Sequence, residues 1–222
     1  MPPAHPRVLF IAGARRHAGK TLVSSLILRS LPGMGAIKVT CCRAETSCPR
    51  DKPCGVCRAL SGPFDVIQDH ATLAMPGKDT ARLLEAATGR VVWLQSRPSA
   101  LGDALDAALS VFDEEPAVLV EGNAAFQTRR PDVGVLVIGP GPEPAKESVR
   151  PALPAVSGVV LNARPGSPPP VMIEGLPGDV RVFSFDAAHP EGSDDARALV
   201  EWLADRLGAV RGAAGDGRTA RR

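Results

Sequence analysis

Nine residues constrain this chain more than any others: GARRHAGKT, residues 13 to 21, placed directly behind the apolar run RVLFIA and ahead of LVSSLILRSL. A short apolar strand, a glycine-flanked loop ending in Gly-Lys-Thr and an amphipathic helix form the unit that cradles a phosphate chain. Inward-pointing backbone N–H groups need residues that tolerate unusual backbone angles, and the helix N-terminus behind them favours an anion. Gly19 meets the first need and a helix from Lys20 the second. Lys20 is expected to reach the β and γ phosphates, with the Thr21 hydroxyl on Mg²⁺. The pattern G-x-x-x-x-G-K-[ST] asks for glycine at position 14. This chain has Ala14 there and Gly13 one place earlier, so Gly13 is expected to absorb any strained angles.

The rest of the chain fits the same architecture. Short β-branched runs alternate with helical patterns, as stacked βαβ units do. Strands are expected at Val8–Ala12, Ala36–Thr40, Arg90–Leu94, Ala117–Val120, Val133–Ile138, Gly158–Leu161 and Val180–Phe183. Several are continuously apolar, as strands buried on both faces should be. Helices fit Lys20–Ser30, Thr80–Thr88, Ala100–Phe112 and Asp194–Leu207, with Gly89 and Gly208 at the C-cap positions. The fold class is therefore α/β: a doubly wound, mostly parallel sheet of the P-loop NTPase kind. Residues 1–208 form the nucleotide-binding domain, with a Cys-rich insertion at 41–69, and 209–222, small, glycine-rich and basic, form a disordered tail.

Composition removes other classes. A net charge of +2 is too small for a dedicated nucleic-acid binder. No run of about 18 apolar residues indicates a membrane span, and Val8–Ala12 is too short for a secretory core. A cytoplasmic location is the expectation.

A second stretch, MPGKDTARLLEAATGRVVWL (75–94), joins GAIKVT (35–40) and VLVEGN (118–123). Together with the Gly-Lys-Thr loop they resemble the molybdopterin-guanine dinucleotide biosynthesis protein B family, within the SIMIBI class of nucleotide-dependent maturation factors. The resemblance spans about residues 7 to 125, and Pro76-Gly77-Lys78-Asp79-Thr80 with Arg82 is its most specific part. It implies that Glu121 approaches Mg²⁺ or its water, and that Lys78 and Asp79 sit near the γ-phosphate or a substrate phosphate. A carboxylate at a strand's C-terminal end also lies in the crevice where open α/β sheets bind ligands. Asp79 is equally readable as a helix-start residue stabilised by the dipole. Asn162 stands where class members often place an asparagine against the base, and also reads as an Asx-turn residue. The nucleotide set is then Gly13, Ala14, Arg15, Arg16, His17, Ala18, Gly19, Lys20, Thr21, Leu22, Lys78 and Asn162, with Lys20, Asp79 and Glu121 as the catalytic group and Thr21 and Glu121 on Mg²⁺. Arg15 stands where one group of dimeric ATPases carries a lysine that reaches across the dimer; the favoured reading is a residue that covers the phosphates or faces solvent. A homodimer is implied by analogy alone. Two departures bear on the substrate: the family's His/Asp-rich stretch is replaced by the Cys-rich segment, and Asn123 follows Glu-Gly where an aromatic and a lysine are usual.

All five cysteines, Cys41, Cys42, Cys48, Cys54 and Cys57, fall within seventeen residues. Metal ligation by Cys42, Cys48, Cys54 and Cys57 is the expected role, with Cys41 able to replace Cys42. Only Cys54/Cys57 makes a zinc-type knuckle, and the wider spacing favours a [4Fe–4S] cluster over Zn²⁺. A redox thiol pair at Cys54/Cys57 is the other reading. The function expected is an ATP- or GTP-dependent, Mg²⁺-requiring NTPase that serves assembly or delivery of a metal-containing cofactor, with a partner protein or cofactor precursor as client. A small-molecule ligase or kinase similar to dethiobiotin synthetase, and a nucleotide-gated adaptor or redox sensor, are the alternatives.

Overall fold

The computed structural model describes residues 6–42, 60–142 and 144–208. Eight strands form one sheet: β1 (Arg7–Gly13), β2 (Gly35–Cys41), β3 (Phe64–Ile67), β4 (Val91–Ser96), β5 (Ala117–Glu121), β6 (Val133–Ile138), β7 (Gly158–Asn162) and β8 (Arg181–Phe185). Their order is β3-β4-β2-β5-β1-β6-β7-β8. Every pair is parallel except β3 with β4. The helices are α1 (Lys20–Ser30), α2 (His70–Leu73), α3 (Asp79–Ala86), α4 (Leu101–Leu109) and α5 (Asp194–Leu207). Three 3₁₀ segments, Pro98–Ala100, Asn123–Gln127 and Glu147–Ala155, complete the set among the described residues.

β1 sits in the middle because it is apolar on both faces. Its alternation sends Leu9 and Ile11 to one side and Val8, Phe10 and Ala12 to the other. The first pair packs with Val23, Ile27 and Leu28 of α1, Leu83 of α3 and Leu199, Trp202 and Leu203 of α5. The second set packs with Leu101, Ala104 and Leu105 of α4 and with Phe126, Val149 and Ala152 of the 3₁₀ segments. The result is an α/β sheet with helices on both faces, in the doubly wound manner. From β1 the chain winds outward to β2 and β4, returns to insert β5 beside β1, and then builds β6, β7 and β8 on the other side. The C-terminal ends of β1 and its neighbours thus form the reversal crevice where such sheets hold ligands.

The expected strands and long helices are present, Val133–Ile138, Lys20–Ser30 and Asp194–Leu207 with the expected bounds and the others with ends shifted by at most three residues. β3 and α2 lie where no periodicity was visible. β3 is short and half-buried throughout, so it lacks the apolar signature of the interior strands; it is the antiparallel edge. Gly208 caps α5 in the left-handed conformation (φ 63°). Gly89 does not cap α3, which ends at Ala86. A side chain there would stand 2.6 Å from the Met34 carbonyl oxygen, so Gly89 permits close backbone approach.

Gly35 shows how tightly the α4 side is filled: a Cβ there would lie 2.3 Å from Cδ1 of the fully buried Phe112. Phe112→Ala should cost about 3–5 kcal/mol in urea unfolding. Gly35→Ala should destabilise the parent chain but cost less in the Phe112→Ala background. An unchanged penalty in that background would refute the steric coupling.

Candidate functional site

The 13–21 loop leaves β1 at the reversal crevice; two side chains from other elements hold its backbone, and one of its own reaches out to a neighbouring segment. Asn123, just beyond β5, accepts from the Gly13 N–H through Oδ1 at 2.9 Å and donates to the Gly13 carbonyl through Nδ2 at 3.0 Å. Asn162, at the end of β7, donates to the Ala18 carbonyl at 3.0 Å, and its Oδ1 accepts from the Ala187 N–H at 2.9 Å. It is fully buried. Arg15 turns inward: it is 4% exposed, and its NH1 donates to the carbonyls of Gly139, Pro140 and Gly141 in the segment after β6. The Ala14 N–H donates to the Val137 carbonyl, and Lys146 N–H to the Ala14 carbonyl. Arg16 and His17 alone in the loop are exposed, with His17 at φ 55°.

These contacts explain the displaced glycine. A Cβ at Gly13 would stand 2.8 Å from Cγ of Lys20, whose stem lies over that residue. Ala14, by contrast, has its methyl in the apolar core on the α4 side. Gly19 is required twice over: φ is 98°, and a Cβ would come within 2.4 Å of Nδ2 of Asn162. It stands at the N-cap of α1 with no side-chain cap and no acidic residue in the first turn. The helix therefore begins with its positive end and N–H groups directed into the loop. Leu22 packs against the core.

Beside the loop lies a network of charges. Glu121, the last residue of β5, is 0% exposed, and its Oε1 accepts from the Thr21 hydroxyl at 3.0 Å and from Lys38 Nζ at 2.5 Å. Lys38, on β2 directly across from Glu121, also donates to Asp79 Oδ2 at 2.6 Å. Oε2 of Glu121 is buried without a hydrogen-bond partner among the described residues. Burial pushes the Lys20 ammonium below its ordinary value; attraction to Glu121, repulsion from Lys38 and attraction to Asp79 act after it. For Lys38 burial also acts downward, yet the charges of Glu121 and Asp79, with their hydrogen bonds, carry it above the ordinary value. Burial acts to raise the Asp79 carboxyl, but the Lys38 charge, hydrogen bonds from Lys38 and Thr21, and the Lys20 charge hold it low.

The structure thus brings Lys20, Thr21, Asp79 and Glu121 together. Lys78 stands at the N-cap of α3, exposed. Arg15 and Asn162 are engaged with backbone as described. Sequence reasoning passed over Lys38 as a site residue, although a lysine inside the otherwise apolar strand GAIKVTC signals a buried partner. It also set Asn123 on the substrate side, whereas both its amide atoms hold Gly13. Among the cysteines, Cys41 ends β2 and Cys42 follows it; Cys42 is buried and disulfide-bonded, which takes its thiolate out of the expected metal-ligand set. Cys48, Cys54, Cys57 and the tail 209–222 lie outside the described residues. Among the described residues no group of three or more His, Cys, Asp or Glu could hold a metal ion, and no helix is long and apolar enough to cross a membrane. No family model matches this chain, and no curated protein matches it.

Lys38→Met would leave Glu121 buried beside Thr21 alone, and should cost roughly 3–5 kcal/mol at neutral pH. Because the folded Asp79 carboxyl sits below its ordinary 3.8, its stabilising effect is present above that value and lost as pH falls through the folded value. The penalty of Lys38→Met should therefore shrink in denaturant titrations below about pH 4. A penalty independent of pH would contradict the ion-pair account.

Proposed function

We propose that the 13–21 loop is a phosphate-binding P-loop and that the chain binds and slowly hydrolyses Mg²⁺–ATP or Mg²⁺–GTP. The observation that carries this reading is the pairing of Thr21 with the fully buried carboxylate of Glu121, whose second oxygen has no partner among the described residues, beside Lys20 and an uncapped helix start. Mg²⁺ prefers hard oxygen donors and is held by one or two carboxylates, with substrate phosphates and water completing its shell. Thr21 and Glu121 match that donor set, and Asp79 is paired with Lys38, the lysine that also holds Glu121. When bound, the ion would neutralise charge on the β and γ oxygens as the terminal phosphoryl group departs.

The chain's own residues supply the remainder. The N–H groups at the start of α1 receive phosphate oxygens. Lys20, kept below its ordinary pKa by burial, regains a full anionic partner when phosphates arrive, so binding and its protonation reinforce each other. Asn123, Asn162 and Arg15 hold the loop's shape beforehand, which lowers the ordering cost on binding. Together with the resemblance of residues 7 to 125 to cofactor-maturation proteins, this supports a role in assembling or delivering a metal-containing cofactor.

Titration with fluorescent ATP and GTP analogues tests the reading. Lys20→Ala should abolish binding while thermal melting shows a folded chain. Glu121→Gln, which keeps shape and removes charge, should bind nucleotide with little difference between Mg²⁺ and chelator. Unchanged affinity in Lys20→Ala would sink the site assignment.

A further inference from the structure

Glu121 on β5, Lys38 on β2 and Trp93 on β4 are in lateral register across three neighbouring strands. In each strand the flanking residues, Val120, Ile37, Val92 and Leu94, belong to the core on the α4 side. The row Glu121–Lys38–Trp93 therefore faces the other way, toward α1 and α3. Beyond Lys38 this row opens into a cavity of about 160 Å³ lined by Lys38, Thr40, Lys78, Asp79, Thr80 and Trp93. Trp93 is half-buried, and its indole N–H donates to the Thr40 hydroxyl at 3.0 Å. The ring is thus fixed in orientation while part of it stays open.

We propose that this cavity seats a second, anionic substrate: a carboxylate or phosphate headgroup held by Lys38 and Lys78, on a compound whose flat portion lies against Trp93. The charge argument is direct. Two lysines line the cavity with one carboxylate, Asp79; Lys38 is shared between Asp79 and Glu121, which leaves one ammonium N–H of Lys38 and the charge of Lys78 for an incoming anion. Lys78 is exposed at its rim, and the two threonine hydroxyls add neutral hydrogen-bonding groups. Size narrows the class, since whole small-molecule sites span roughly 300–1,000 Å³; 160 Å³ admits a headgroup and leaves the rest of the compound at the rim. Position gives the cavity its use, because Lys38 bridges it to Glu121 and hence to Thr21. This inference rests on the nucleotide reading for what lies at Lys20. With it, the headgroup lies on the far side of Lys38 from the terminal phosphate, as an acceptor or an activated client would.

The test uses Trp93 itself. The chain has two tryptophans, and Trp202 lies in the core, so Trp202→Phe leaves Trp93 as the sole reporter. Its fluorescence is titrated with inorganic phosphate and, separately, acetate, with a non-hydrolysable ATP or GTP analogue and Mg²⁺ at saturation. Calorimetry on the chain with both tryptophans serves as the parallel measurement if Trp202→Phe folds poorly. A saturable response weakened about tenfold or more by Lys78→Ala, the loss of one charged contact, is the expected result. Response to phosphate alone or acetate alone names the headgroup. No saturable response to either, or one that Lys78→Ala leaves intact, overturns the proposal. If nucleotide binds in a Lys20-dependent way and the cavity is silent, the cavity assignment falls and the nucleotide reading stands. If nucleotide fails to bind and a Lys78-dependent Trp93 response remains, the cavity stands and the nucleotide reading falls.

Discussion

The buried carboxylate of Glu121 is the interaction on which the arrangement of this crevice depends. An ionised carboxylate with no solvent contact is costly unless charge and hydrogen bonds compensate it. Here one oxygen is compensated by Thr21 and Lys38, and the other has no partner among the described residues. Thr21 is thereby tied to β5, so the start of α1 is anchored to the strand beside β1. Lys38 is drawn into an otherwise apolar strand and in turn holds Asp79, which fixes the start of α3. Three elements are thus oriented by one group, and the half-satisfied state of that group is what suits it to a cation.

The loop itself is held by side chains that make no use of their own charge or polarity toward solvent. Asn123 and Asn162 are each turned onto backbone N–H and carbonyl groups, and Arg15 onto three successive carbonyls. These contacts come from the ends of β5, β7 and the segment after β6, so the loop is braced by strands on both sides of β1. Such bracing matters because backbone N–H groups bind an anion well only if they already point at it. The left-handed conformation at Gly19 stands against the buried amide of Asn162, where a side chain would not fit.

The interior strands and long helices were legible because each has one dominant signal. A strand buried on both faces reads as a continuous apolar run, and Lys20–Ser30 and Asp194–Leu207 carry apolar residues at helical spacing. β3 was not legible because an edge strand buried by halves leaves neither a run nor a clean alternation. At the site, Gly19, Lys20, Thr21 and Glu121 could be placed from the motif and from the rule that strand C-termini line the crevice. Arg15, Asn123 and Asn162 could not, since their partners are backbone atoms more than a hundred residues away or, for Asn162, also beyond β8. A one-dimensional pattern carries residue types at spacings; it carries no record of which carbonyl an amide will meet. Lys38 lies between these cases: a charge in an apolar strand demands a partner, but the sheet order β4-β2-β5 is what makes that partner Glu121.

That same sheet order makes Lys38 common to two places. Its ammonium lies 2.5 Å from Glu121 and 2.6 Å from Asp79, and its side chain also forms a wall of the cavity beside Trp93. Coulomb interactions over such distances are large where water is scarce. Any cation that approaches Glu121 competes with the ammonium for the same oxygen, and any anion in the cavity attracts that ammonium the other way. The two effects act in one direction: a cation at Glu121 releases Lys38 toward the cavity, and an anion in the cavity clears Glu121 for a cation. A cation at Glu121 and an anion in the proposed cavity would therefore be coupled through one side chain, and by thermodynamic linkage each would favour the other to the same degree.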